Sequence, residues 1–278
     1  MTSPASPASR GTTRRTRTSR RLAATAATVA LVLPLAACGT DADGSGDTGG
    51  AGDGAGDTTI TVLAAASLTE TFTTLAEQFE ADHEGVEVEL AFDSSATLAG
   101  QAVEGAPADV LATADSRTMD TAADVLAADP QVFATNTLVM AVPAGNPADL
   151  SGFEDVADGD ATYVVCVDTA PCGAIWAAIA AEEGVTSQPA SLEVDVKAVL
   201  AKVTDDEADA GFVYETDAVA AGDQVETFEV PGAEDQVTDY PIAPLDQAGD
   251  PELAQEFVDL VLSEAGRQVL ADAGFGQP

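Results

Sequence analysis

Val62-Leu63-Ala64-Ala65-Ala66-Ser67-Leu68 opens as a run that can be buried as a β-strand and ends on a serine, after which Leu68, Phe72, Leu75 and Phe79 recur at helical spacing. The pattern returns at Phe92-Asp93-Ser94-Ser95-Ala96-Thr97-Leu98, behind the alternating Val86, Val88, Leu90 and Phe92. A helix start offers unpaired backbone N–H groups and a partial positive charge, so a serine placed there can help to hold an anion. Two such starts make a candidate oxyanion socket.

Further along, the same alternation predicts strands over 59–64, 86–92 and 108–113, with helices over 68–82 and 96–104. Strands follow over 137–142, 163–167 and 210–214, with helices over 174–183 and 196–203. A last strand over 239–243 leads into helical segments at 253–262 and 264–271. The expected fold is α/β and two-lobed, each lobe a mostly parallel sheet flanked by helices, with a ligand cleft between. Lobe 1 takes 58–137 and 239–278, and lobe 2 takes 138–238. The chain crosses twice, near 134–138 and 238–241, which would form a hinge.

The beginning of the chain has a different character. Arg10, Arg14, Arg15, Arg17, Arg20 and Arg21 precede a mostly apolar run over 22–37, too short for a comfortable membrane span. It ends in Leu35-Ala36-Ala37-Cys38-Gly39, the small-residue context of a lipoprotein cleavage site. Residues 1–37 are therefore expected to be a signal peptide and Cys38 the lipidated first residue; an ordinary cleaved signal with an incidental cysteine is the alternative. Residues 38–57 are rich in Gly and Asp and bury too little apolar surface to offset chain entropy, which predicts a flexible tether.

Beyond the signal segment only Arg117, Lys197, Lys202 and Arg267 are basic, against 48 acidic residues, a formal charge of −44. Nucleic acid and anionic membrane surfaces are poor partners for such a chain. The carboxylates are scattered without the spacing of a calcium loop, which favours solubility as their role. Cys166 and Cys172 lie close together in a chain expected in an oxidising compartment, and a disulfide is the preferred reading. Zinc is the alternative, with His83 the only histidine in the sequence.

Four motifs then act together: Ala64-Ala65-Ala66-Ser67-Leu68, Ser94-Ser95-Ala96-Thr97-Leu98, Gly105-Ala106-Pro107-Ala108-Asp109 and Gly211-Phe212-Val213-Tyr214-Glu215-Thr216-Asp217-Ala218. With them the chain resembles the molybdate-binding solute receptors of ABC importers over essentially all of 58–278. The resemblance implies two lobes around an oxyanion, no catalysis, no cofactor, a monomeric state, and a membrane permease with its ATPase as partners. It also implies a ligand set. Ser67 matches a serine whose hydroxyl and backbone N–H contact the anion and Ser95 matches the serine of the second motif, although either alone would serve as an ordinary N-cap worth about 1 kcal/mol. Cys172 and Val196 match backbone N–H donors, Cys172 where a small residue is usual and Val196 where a core valine is the plainer reading. Tyr214 matches a tyrosine that donates its hydroxyl, while Asp217 reads as structural because a carboxylate facing a dianion would repel it.

Neutral donors suffice for such a ligand. Molybdate is a fully deprotonated tetrahedral dianion, so a site made only of donors satisfies it, and helix dipoles add to the attraction. Tungstate has nearly the same size and charge. A protonated phosphate would bring an O–H without an acceptor, unless Asp93 supplied one. Sulfate or phosphate is therefore the nearer alternative ligand. A secreted hydrolase is the more distant one, since His83 sits at a polar helix end and no Gly-x-Ser-x-Gly elbow is present. A structural surface lipoprotein is the third.

Overall fold

A computed structural model describes residues 58–278; the expected signal peptide, Cys38 and the tether lie outside the described residues. From Thr58 the chain forms β1 (Thr58–Ala65), a 3-10 turn (Ala66–Leu68), α1 (Thr69–Asp82), β2 (Val86–Asp93), α2 (Ser95–Val103), β3 (Val110–Ala112), α3 (Ser116–Thr121) and β4 (Gln131–Asn136). It continues through β5 (Leu138–Pro143), α4 (Phe153–Ala157), β6 (Tyr163–Cys166), α5 (Pro171–Glu182), β7 (Ser191–Glu193), α6 (Val196–Thr204), β8 (Ala210–Tyr214), α7 (Glu215–Ala221) and β9 (Val225–Phe228). It closes with β10 (Thr238–Pro244), α8 (Pro251–Leu262) and α9 (Glu264–Asp272).

Two five-stranded sheets result, one in each lobe, with strand orders β2-β1-β3-β10-β4 and β7-β6-β8-β5-β9. Only Thr137 separates β4 in the first sheet from β5 in the second, and the chain returns between β9 and β10. Each sheet is mostly parallel, as expected, with a single strand running against the other four, so that the sheets are mixed. β1 runs parallel to β2 and β3, whereas β10 runs antiparallel to β3 and β4. Likewise β6 is parallel to β7 and β8, whereas β5 is antiparallel to β8 and β9. The antiparallel pairings gather around the strands that carry the chain between lobes, and apolar periodicity says nothing about strand direction.

The period-two alternation of β1 divides its side chains between two packed faces. Ile60, Val62 and Ala64 meet Phe72, Leu75 and Phe79 of α1 and Phe257 and Val261 of α8. Phe257 lies edge-on to both phenylalanines of α1, with ring centroids 6.0 and 5.5 Å away. On the opposite face Leu63 packs with Leu98, Ala99 and Ala102 of α2. Covering both faces explains why the strand reads as an apolar run and why its end is held firmly where the 3-10 turn begins.

In the second lobe Trp176 of α5 lies over Phe212 of β8 at 3.9 Å between centroids, with Tyr163 edge-on to both. Gly211 brings α6 down onto β8: a Cβ there would stand 2.6 Å from Val203 and 2.9 Å from Val199. Larger residues would lift α6 and with it Val196. Cys166 and Cys172 form a disulfide that ties the end of β6 to the first turn of α5. Gly173, next to it, packs against the Val167 carbonyl with no room for a side chain.

Polar contacts join the lobes on either side of the cleft. Lys197 Nζ of α6 donates to the Glu70 carboxylate of α1 at 2.8 and 2.9 Å and lies 3.0 Å from Asp217 Oδ1. Arg117 Nη2 of α3 donates to the Thr169 carbonyl at 3.1 Å. Burial pushes the Asp217 carboxyl up to about 6 against the pull of Lys197. The lysine stays above its usual value because Asp217 and Glu70 together outweigh its own burial.

Two outcomes are expected. The Asp217 carboxyl gives up its proton near pH 6 when folded and near its ordinary 3.8 when unfolded. Its contribution to stability is thus complete below the lower value and lost as pH rises through the upper one. The melting temperature of Asp217→Asn should therefore gain on that of the parent between about pH 4 and about pH 7; parallel curves for the two would contradict this. Replacing both Cys166 and Cys172 by serine should lower unfolding free energy by about 2 kcal/mol, read from urea titration, because a short closed loop is released in the unfolded chain.

Candidate functional site

Each of four elements in contact with the space between the lobes begins there. The 3-10 turn carrying Ser67 leads into α1, Ser95 is the first residue of α2, Cys172 follows Pro171 in the first turn of α5, and Val196 opens α6. Together with Tyr214, at the end of β8, these residues line one small cavity. All five sequence-predicted site residues are thus brought to one place, and all are buried. Two come from the first lobe and three from the second.

The first N–H groups of a helix have no acceptor within it. Elsewhere in this protein side chains take up that role: Asp115, Asp250 and Ser263 cap α3, α8 and α9. At the cavity, however, the 3-10 turn, α2 and α5 have no side-chain cap. Helix starts left open and buried call for another acceptor, and an anion between them would serve. At α6 the Asp195 carboxylate accepts from the Ala198 N–H at 2.8 Å, which still leaves the Val196 N–H in the first turn.

The hydroxyls are placed with equal care. Ser95 Oγ accepts from the Ala114 N–H at 2.9 Å, so its own proton is free for the cavity. Ser67 Oγ lies 2.9 Å from the Tyr240 hydroxyl. The Tyr214 hydroxyl is fully buried and has no hydrogen-bond partner among the described residues. Burial above all, with Tyr240, Asp115 and Asp217 adding to it, raises the Tyr214 pKa well above the ordinary phenol value. The group is a protonated donor without an acceptor, an arrangement that a ligand oxygen would complete.

Among the described residues no Lys, Arg or His side chain lines the cavity. Two carboxylates do, Asp93 and Asp195, and each turns an oxygen to backbone: Asp93 Oδ1 accepts from the Ser94 N–H at 2.6 Å and Asp195 caps α6. Asp217 does not line the cavity; Oδ2 accepts from the Tyr214 N–H at 3.3 Å and Oδ1 pairs with Lys197, so it holds the donor tyrosine and the α6 start in place. His83 stands apart from the cavity, stacked on Phe79 and bonded to Glu256. Among the described residues no cluster of three or more His, Cys, Asp or Glu side chains could hold a metal ion.

Sequence reasoning missed Asp195, Ala114 and Tyr240. Asp195 carried a readable signal, an aspartate just before an apolar-periodic helix. Ala114 and Tyr240 carried none, because their part in the site depends on a backbone N–H and on a strand pairing distant in sequence.

A family model of bacterial extracellular solute-binding proteins matches residues 60–276. The chain is 41% identical over 250 residues to the molybdate-binding protein ModA of Mycobacterium tuberculosis, an alignment covering 89% of this chain and 95% of that one. The periplasmic molybdate-binding protein of Azotobacter vinelandii superposes with a TM-score of 0.69 at 19% identity, covering 79% of this chain and 99% of that structure. The sulfate-binding protein SubI of Mycobacterium tuberculosis superposes almost as well, with a TM-score of 0.68 at 18% identity over 78% and 86% of the two chains. At such identities the superpositions establish the two-lobed fold and leave the anion open, whereas the sequence match is closer and spans nearly the whole chain. The protein belongs to the bacterial extracellular solute-binding proteins, and within them to the molybdate-binding ModA type, a family of transport receptors rather than enzymes.

Proposed function

We propose that this protein captures molybdate, and tungstate with it, outside the cytoplasm and hands it to the permease and ATPase of an ABC importer. The observation that carries this reading is the cavity itself: among the described residues, open helix starts, two serine hydroxyls and an unpartnered buried tyrosine hydroxyl converge without any cation. Such a site suits a dianion that brings four acceptor oxygens and no proton. The 41% identity to a molybdate-binding protein points to the same ligand. Ser67, Ser95, Cys172, Val196 and Tyr214 are the ligand-binding residues in this reading, Cys172 and Val196 through their backbone N–H groups.

The lobes are 58–137 with 239–278, and 138–238. Cys38 would carry a lipid that keeps the monomeric receptor at the membrane, with 38–57 as tether. Ligand bridges the two halves of the site and draws the lobes together about the crossings between them.

Asp93 gives a second reading some support. A carboxylate on the cavity wall could accept the proton of hydrogen phosphate, and a sulfate-binding protein shares the fold. Calorimetric titration with molybdate, tungstate, sulfate and phosphate in separate runs separates the readings. Tight one-to-one binding of the first two alone is expected; preferential binding of sulfate or phosphate would change the ligand, and silence from all four would remove the receptor reading. Ser67→Ala, Ser95→Ala and Tyr214→Phe should each weaken molybdate binding about tenfold or more, the scale of a hydrogen bond to a charged group. Unchanged affinity in all three would place the anion elsewhere.

A further inference from the structure

Behind Ser67 a chain of side chains runs through the strands that connect the lobes, and its polarity can be read from one end. Asn136, the last residue of β4, uses its Oδ1 to accept from the Thr137 N–H at 3.0 Å. That fixes which way the amide faces. Its Nδ2 therefore donates, to Thr216 Oγ1 of α7 at 2.8 Å and to the Tyr240 hydroxyl of β10 at 3.4 Å. Asn136 thus presents Tyr240 with a donor and nothing to donate to.

Tyr240 is fully buried, and burial raises its pKa far above the ordinary phenol value, so its proton stays on oxygen. Ser67 Oγ lies 2.9 Å away, a contact in which either hydroxyl can donate; with the Asn136 amide already occupying an acceptor position on Tyr240, the Tyr240 proton is directed to Ser67 Oγ. Ser67 consequently receives a hydrogen bond, and its own proton is turned toward the cavity that it lines. Ser95 reaches the same state by a separate route, since its Oγ receives the Ala114 N–H at 2.9 Å. Both serines have an acceptor position filled by the protein and a proton left over.

We propose that Asn136 and Tyr240 are positioning residues for ligand selection: the relay from the Asn136 amide through the Tyr240 hydroxyl holds the Ser67 hydroxyl as a donor, so the site favours a fully deprotonated oxyanion over one that carries a proton. This rests on the oxyanion-receptor reading above. A free serine hydroxyl can turn to donate or to accept, and would meet an anion O–H as readily as a bare oxygen. A serine whose lone pair is already engaged meets the O–H poorly, and an unmatched buried polar group is costly enough to discriminate. The relay also places this control on the connecting strands: Asn136 pairs with Thr238 across β4 and β10, and Thr216 belongs to the second lobe.

The test removes the Tyr240 hydroxyl and keeps the ring, which packs edge-on to Phe133, Tyr214 and Phe275. Molybdate and phosphate affinities are measured by calorimetry and competition for the parent, Tyr240→Phe, Ser67→Ala and the double variant. The runs use alkaline pH, where phosphate is a dianion that still carries one proton. Tyr240→Phe should weaken molybdate binding about tenfold and phosphate binding less, so that the preference between two equally charged anions falls several-fold. In the Ser67→Ala background Tyr240→Phe should have almost no further effect on molybdate, the signature of action through Ser67.

Asn136→Asp supplies a second arm should Tyr240→Phe fold poorly. An acceptor at that position reverses the relay and should shift preference in the same direction, while the added charge acts on both dianions alike. A parent that binds no oxyanion overturns the receptor reading and this inference with it. A parent that binds molybdate, with Tyr240→Phe retaining its full effect beside Ser67→Ala or Asn136→Asp leaving the preference between the two anions unchanged, overturns this inference alone.

Discussion

An anion that leaves water must exchange every hydrogen bond of its hydration shell for one from the protein, and a doubly charged anion has the most to replace. That requirement shapes this fold. Backbone N–H groups at helix starts are the densest supply of donors a chain can aim at one point, and their direction is set by the strands that precede them. β1 and β2 deliver two starts from one lobe, and the turn after β6 together with the approach to α6 delivers two from the other. The apolar faces of β1, the close approach of α6 over Gly211, and the disulfide at the head of α5 each hold one of these starts in position.

Dividing the donors between lobes has a consequence for release. While the lobes are together, Ser67 and Ser95 face Cys172, Val196 and Tyr214 across one small cavity. Were the lobes to part, either half alone would offer an incomplete shell, and water would fill the remainder. A fixed arginine or lysine on one wall would retain the anion after opening; neutral donors shared between walls do not. The cations that are present near the cleft serve the protein instead, Lys197 joining Glu70 to Asp217 and Arg117 reaching the Thr169 carbonyl.

Much of this was legible in the sequence. The strand-to-helix junctions at Ser67 and Ser95 follow from periodicity and from a serine at the boundary, and they fall at the cavity. The α/β character and the first crossing between sheets were legible for the same reason, since buried strands and amphipathic helices leave unmistakable patterns, whereas the return lies between β9 and β10, just before the stretch expected for it. The direction of β10 and β5 was not, because a strand reads alike whichever way its neighbour runs. β4 escaped notice in Gln131-Val132-Phe133-Ala134-Thr135-Asn136, whose two exposed first residues blur the alternation. Cys172 and Val196 depended on resemblance: a backbone donor leaves no mark on the side chain. Tyr240 and Asn136 lay beyond reach for a further reason: Tyr240 meets Ser67, and Asn136 meets Tyr240, only through pairings between residues more than a hundred positions apart.

The acidity of the surface poses the remaining physical question, since a chain with a formal charge of −38 repels the anion it is built to hold. Range resolves it. At physiological ionic strength charges separated by more than about 8 Å are largely screened, so scattered surface carboxylates act weakly on a ligand already inside the cleft. Donors in direct contact act at full strength in a buried cavity, where the effective dielectric is low. Even the carboxylates on the cavity wall follow this division, with an oxygen of Asp93 and of Asp195 committed to a backbone N–H. Overall charge therefore governs solubility and approach, while a few oriented N–H and O–H groups govern which anion stays.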